Sequence, residues 1–181
     1  MRCTLLFALG GLLLGGIIHI AVVFMIPLFA NRDAWAQMKQ FGRDGKFHQL
    51  PIPEAGSEPL VSLDPRMIYS VCRFSLGQGP VRITASLPED FWSVALFDRR
   101  GRNIYSLNDR SAERSRLDMV VVTPVQMAQL RQDPPAALET AIVIELPIDV
   151  GFALLRVFVA DDSQLAQAVN AVSSADCSGS L

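Results

Sequence analysis

Met67-Ile68-Tyr69-Ser70-Val71-Cys72-Arg73-Phe74-Ser75-Leu76, followed by Gly77-Gln78-Gly79-Pro80 and then Val81-Arg82-Ile83-Thr84-Ala85, decides how this chain is read. Both flanking runs are short, apolar or alternating, and rich in β-branched and aromatic residues. The Gly/Pro segment between them is a turn signal, so the pair reads as a β-hairpin. The same texture continues downstream. Phe91–Asp98 and Asn103–Leu107 are strands joined through Arg99-Arg100-Gly101-Arg102, and Leu117–Thr123 is a largely apolar run suited to a central strand. Ala141–Leu146 and Phe152–Val159 are two more strands, separated by Pro147–Gly151.

Two short helices interrupt the strands. Thr123-Pro124 opens one, because Thr caps well and Pro suits the first helical position. Val125, Ala128 and Leu130 are its expected core-facing residues, and Pro134-Pro135 ends it. Asp161 or Asp162 caps the second, roughly Gln164–Val172, whose Leu165, Ala168, Val169 and Val172 recur at helical spacing. About seven strands with frequent turns and few helices predict a mainly β fold, an antiparallel sandwich or barrel-like domain.

The residues before this domain are a different physical object. Thr4–Ala30 contains no Asp, Glu, Lys or Arg, and Arg2 is the only charged side chain before Asn31. A bilayer core needs about 20 apolar residues, so this run is long enough to span it, and longer than the apolar core of a cleaved signal peptide. The 181 residues therefore divide into an N-terminal transmembrane anchor at 1–33, a linker or tether at 34–62, a β domain at 63–177 and a short tail at 178–181. The small-x-small sequence Ala34-Trp35-Ala36 reads as the start of a linker helix to Phe41 rather than a cleavage site. Gly11 and Gly15, flanked by Gly10 and Gly16, make a smooth surface on which a second helix could pack; glycine is also simply common in membrane helices. His19, near mid-span, has no second ligand nearby and reads as a neutral, hydrogen-bonded imidazole.

The anchor changes what the composition means. The whole chain is 50% apolar with a net charge of −2. The soluble part carries 15 basic and 18 acidic residues. That balance argues against a nucleic-acid partner. The partners expected are the lipid bilayer itself and, through the glycine face, another helix.

Three cysteines are present. Cys3 lies at one end of the span, Cys72 within the first strand and Cys177 after the last helix. Cys72 reads either as a small buried hydrophobe or as half of a Cys72–Cys177 disulfide pinning the tail to the sheet. Such a bridge demands an oxidising compartment. The charge count points the other way: Arg32, Lys39, Arg43 and Lys46 outnumber Arg2 and the amino terminus, which favours a cytoplasmic domain.

The stretch Asp64-Pro65-Arg66-Met67-Ile68-Tyr69-Ser70 adds a further pointer. With Phe74-Ser75-Leu76, Gly79-Pro80-Val81, Leu87-Pro88, Phe91-Trp92-Ser93-Val94, Phe97-Asp98 and Asn103-Ile104-Tyr105, it resembles a bacterial family of unknown function, the type pairing domains numbered 1254 and 1214. The chain resembles a short, membrane-anchored, single-domain form. Arg66 and Met67 stand where that family has Asp and Thr, so a polar site built on that Asp does not carry over. The resemblance implies a β-sandwich of the bacterial envelope, with longer relatives holding two such domains in tandem and a companion membrane-anchored protein supplying the second here. Together with the cysteines it favours a single-pass inner-membrane protein with a periplasmic domain.

Chemistry is sparse. There is no G-x-S-x-G, P-loop or G-x-G-x-x-G, and His48 in the linker is the single histidine outside the anchor, so no catalytic residue, cofactor or metal site is assigned. The most polar constellation is Asp98, Arg99, Arg100 and Arg102 together with Asn108, Asp109 and Arg110, all at strand ends and expected to meet across the hairpin. Arginine forks suit a small anionic ligand or lipid headgroup, with Tyr69, Trp92 and Tyr105 as pocket walls. The plainer reading is solvated turns whose acids neutralise their own arginines, and core aromatics. The expected function is thus a non-enzymatic envelope module that binds another protein, with an enzyme or binder of a small anionic or lipid-like ligand as the alternative.

Overall fold

Val150–Phe158 shows in nine residues how this domain is layered. Ala153, Leu155 and Val157 are sealed on one face, while Phe152 and Leu154 pack on the other. A strand buried on both faces lies in the middle of a covered sheet. At Gly151 any Cβ would come within 2.6 Å of the Phe97 carbonyl oxygen, so glycine alone permits that close strand approach.

The computed structural model describes residues 2–29, 34–52, 63–112 and 115–179. Among them are nine strands: β1 Phe47–Gln49, β2 Met67–Ser75, β3 Val81–Ser86, β4 Trp92–Asp98, β5 Asn103–Asn108, β6 Arg116–Val122, β7 Ile142–Glu145, β8 Val150–Phe158 and β9 Asp176–Ser178. Four α-helices accompany them: α1 Arg2–Phe29, α2 Ala34–Gln37, α3 Pro124–Gln132 and α4 Leu165–Ser173. The strands form a five-stranded sheet in the order β1-β2-β8-β4-β5 and a four-stranded sheet in the order β7-β6-β3-β9. The main core, including Phe74, Trp92, Leu96, Leu117, Met119 and Leu155, is built from both sheets. Neither sheet closes on itself, so the fold is sandwich-like and mainly β, as expected, and not a barrel.

Two expectations about pairing are corrected. The run 67–76 and the run 81–85 are not a hairpin. β2 pairs with β1 and β8, whereas β3 pairs with β6 and β9 in the other sheet. The burial patterns explain the split. β2 is buried at seven consecutive positions and is covered on both faces, while β3 alternates buried and half-exposed positions as a strand with one dry face does. The Gly/Pro segment between them, a 3₁₀ turn at Leu76–Gln78 and then Gly79-Pro80, carries the chain from one sheet to the other. The second correction is that the sheets are not purely antiparallel. β6 and β7 run parallel, and α3 is the crossover that a parallel pair requires.

α3 begins where expected. Thr123 accepts from the Gln126 N–H, and the Gln126 side chain accepts from the Thr123 N–H, a complete capping box with Pro124 following. The expected core face is wrong. Val125 is 69% exposed and Ala128 is exposed, whereas Met127 and Leu130 are the half-buried pair. α4 buries Ala168 and Val172 as its spacing predicted, half-buries Leu165 and Val169, and also buries Ala171, while Asp161 accepts from the Ser163 N–H just before it.

Residues Met1–Arg32 and Asp33–Leu181 form separate compact units. In the first, Cys3–Met25 is long and apolar enough to cross a membrane. Its Gly10, Gly11, Gly15 and Gly16 face open space, so a neighbouring helix could approach there. In the second, the segment read as a tether contributes to the fold: Phe47–Gln49 forms β1, and Met38 and Leu50 are buried. With Trp35 and Phe41 they cover Tyr69, Val71 and Phe152 on the outer face of the five-stranded sheet. Residues 53–62 of the segment read as a tether, and Ala30 at the end of the apolar run, lie outside the described residues.

Candidate functional site

The β4–β5 hairpin holds most of the polar residues singled out from the sequence. At its turn, Gly101 adopts φ 80°, and the Gly101 N–H donates to the Asp98 carbonyl at 2.9 Å. The Asp98 carboxylate closes the turn from inside. Oδ1 accepts from the N–H groups of Arg100 and Arg102, both at 2.9 Å, and Oδ2 accepts from Arg102 Nε at 2.7 Å. Burial raises the Asp98 pKa, but the hydrogen bonds from Arg102 and Arg100 outweigh it and hold the carboxyl below its ordinary value. Asp98 is therefore a structural anion satisfied by its own turn. Arg99, Arg100 and Arg102 point outward as exposed side chains.

Asn108, Asp109 and Arg110 lie at the opposite end. Asn108 sits opposite Ser93, whereas Asn103 sits opposite Phe97. Five residues of strand separate the two turns, about 17 Å at the usual rise. The two polar segments thus do not meet across the hairpin. Asn108 Oδ1 accepts from the Arg110 N–H and the Ser111 hydroxyl, each at 3.2 Å, while Asp109 Oδ1 is buried without a hydrogen-bond partner. The aromatic residues are separated as well. Trp92 is 1% exposed in the core between the sheets. Tyr69 belongs to the outer-face cluster, with its hydroxyl accepting from the Asp64 N–H at 2.9 Å.

Cys72 and Cys177 are bonded to each other, both fully buried. The bridge joins β2 of one sheet to β9 of the other across 105 residues of chain. Gly11 and Gly15 lie on α1, in the other compact unit.

Two charged clusters escape a reading by sequence. Arg73 is 5% exposed, stacks on the Trp35 ring at 3.8 Å and pairs with Asp44 at 3.2 Å, fastening the N-terminal segment to the sheet. On the outer face of the four-stranded sheet, Arg82 grips Asp118 with two hydrogen bonds of 2.9 and 2.8 Å. Beside that pair is a shallow polar depression of about 650 Å³ lined by Thr84, Ser86, Arg116 and Asp176 among others. The signal for the second cluster was present, since Asp118 interrupts an otherwise apolar run. For the first there was none, because Trp35, Asp44 and Arg73 are far apart in the chain. An apolar groove of about 370 Å³ runs beneath α3, between Met127, Leu130, Pro134, Pro135, Leu138 and Val143. Among the described residues no group of three or more His, Cys, Asp or Glu side chains could hold a metal ion, and His48 Nε2 is engaged with the Arg43 carbonyl at 2.9 Å.

The fold and its inter-sheet bridge define a two-sheet β module behind an apolar helix. The chain belongs to the family described as "Protein of unknown function (DUF1254)", whose profile matches residues 45–176. Among solved structures it is similar to the VPA0106 protein from Vibrio parahaemolyticus, with a TM-score of 0.58 and 10% identity over 82% of this chain and 35% of that one. It also matches a putative uncharacterized protein from Burkholderia cenocepacia, with a TM-score of 0.44 and 13% identity over 73% of this chain and 37% of that one. The chain thus spans about a third of the length of the solved structures it matches. No curated protein matches it.

Proposed function

We propose that this chain is a membrane-anchored module of the bacterial envelope that binds a companion protein rather than catalysing a reaction. The observation that carries the reading is the apolar groove beneath α3, which opens beside β7, an end strand of its sheet. An end strand offers unpaired backbone groups and the groove offers desolvated apolar walls, the two elements of strand-addition recognition. Arg131 and Glu139 flank the groove and would set the register of a partner. The companion is a protein carrying the second domain that longer relatives hold in tandem. The Cys72–Cys177 bridge supports a domain on the oxidising side of the inner membrane, with α1 as its single-pass anchor. Joint capture of a small anion by both hairpin turns loses its geometric basis, because the turns are about 17 Å apart.

The full chain, purified from its native membranes in mild detergent, should bring down a stoichiometric second protein, and Leu130→Asp should release it. Monomers of this chain alone would overturn the reading. Mass spectrometry without reductant should show Cys72 and Cys177 peptides linked; two free thiols would remove the support for an external domain.

A further inference from the structure

We propose that a second copy of this chain pairs with the open edge of β7 when no companion occupies it, joining the four-stranded sheets of two domains into one. The proposal goes beyond the companion reading by giving the same edge a second occupant, so the two complexes exclude one another. The backbone of β7 divides its polar groups by position. β6 and β7 are parallel, with Met119 opposite Ile142 and Val121 opposite Ile144, and the Leu146 N–H donates to the Val122 carbonyl at 2.8 Å. Successive residues of a strand address opposite edges, so Ile142, Ile144 and Leu146 turn their N–H and carbonyl groups to β6. Val143 and Glu145 turn theirs outward, where β7 ends its sheet among the described residues. Those outward groups form a template for another strand.

The edge matches itself in one register. With the strands antiparallel and a two-fold axis at Ile144, Val143 of each copy lies opposite Glu145 of the other, and every outward group of both residues is bonded. An axis at Val143 would instead set Glu145 opposite Ala141, whose N–H already donates to the Leu138 carbonyl at 3.2 Å, and would leave the Glu145 carbonyl without a donor. The side chains suit the first register. On the core face, half-buried Ile142 meets Leu146 of the second copy, and Ile144 meets Ile144. On the other face, the exposed Glu145 comes beside Val143 at the mouth of the groove beneath α3, whose rim carries the exposed Arg131. Neither Arg131 nor Glu145 has an ion pair among the described residues, so the two-fold brings opposite charges together twice, with Glu139 on the same rim offsetting part of the attraction.

The test uses the full chain, produced alone and held in mild detergent, with Cys3→Ser so that introduced thiols have no other free partner. Protein with Val143→Cys and protein with Glu145→Cys should each stay unlinked on mild oxidation. An equal mixture of the two should give a disulfide-linked dimer, because directly opposed strand positions lie within bridging distance, and peptide mass spectrometry should place the bond between 143 and 145. Val143→Pro removes only an outward N–H, so thermal unfolding should be little changed. Self-association, read by sedimentation in density-matched detergent, should weaken roughly tenfold or more in that variant. Should Val143→Pro fail to fold, the cysteine mixture decides alone. Linking by Val143→Cys alone, no link in the mixture, or unchanged sedimentation of folded Val143→Pro would each overturn the proposal; the last would move the contact elsewhere, such as the glycine face of α1. A companion recovered from native membranes, beside chains that never give the 143–145 link, leaves the companion reading standing and removes the dimer. Linked dimers with no companion do the reverse.

Discussion

Asp118 is the residue whose charge the fold uses most openly. The hydrogen bonds from Arg82 lower its pKa; burial opposes them, and the charges of Arg82 and Arg116 add to the lowering. A carboxyl whose pKa falls on folding contributes stability at pH values above its unfolded value of about 3.9, and that contribution is lost as the pH drops through the folded value. Asp98 acts in the same direction. Asp118→Asn should therefore cost about 1–2 kcal/mol near neutral pH, and the gap from the wild type should shrink as the pH falls below about 4. Urea unfolding across that range reads both. Parallel curves for the two proteins would show that the Arg82 pair does not supply the acid-sensitive stability. Arg82 itself stays 23% exposed, which keeps the expected cost well below that of breaking a fully buried pair.

At the scale of elements, α3 is held at its start rather than along its face. The Gln126 side chain accepts from the Thr123 N–H and also donates to the Leu76 carbonyl at 2.7 Å, tying the crossover to the turn after β2. Thr123→Ala should cost about 1 kcal/mol. Gln126→Ala should cost more, since it leaves both the Thr123 N–H and the Leu76 carbonyl without their partner. Thermal unfolding of the two variants orders them. This cap was readable in advance because its signals are adjacent in the chain. So were seven of the nine strands, whose apolar runs are long enough to stand out. β1 and β9 have three residues each, too few to show a period, and one hides in a linker while the other follows the last helix. The false hairpin failed for another reason: β2 pairs with the short β1 and with β8, some eighty residues downstream, and no local turn announces either. The polar hairpin residues were wrongly joined, because only the register shows that Asn108 faces Ser93 at the far end.

At the scale of the molecule, residues 34–50 behave as a covering layer. Trp35, Met38, Phe41 and Leu50 pack on the outer face of the five-stranded sheet. At roughly 1.5–3 kcal/mol for each fully buried side chain, and less for the half-buried ones, the layer contributes about 5 kcal/mol. That equals the lower end of the total stability of a domain. A chain beginning at Leu63 should consequently expose Tyr69, Val71 and Phe152 and aggregate, whereas one beginning at Asp33 should remain monomeric. Size-exclusion chromatography with near-ultraviolet circular dichroism distinguishes them. A well-folded monomer from Leu63 would show that the layer is dispensable. The family profile, starting at residue 45, includes β1 but not Trp35 or Met38.

The place of β8 has a consequence for the order of synthesis. It lies between β2 and β4, yet it is the eighth strand to leave the ribosome. Until Phe158 has emerged, β2 and β4 have no neighbour to share, and the hairpin of β4 and β5 is too small to persist alone. The bridge to Cys177 waits later still. The five-stranded sheet consequently cannot be completed strand by strand in chain order; its centre waits for the segment that ends at Phe158.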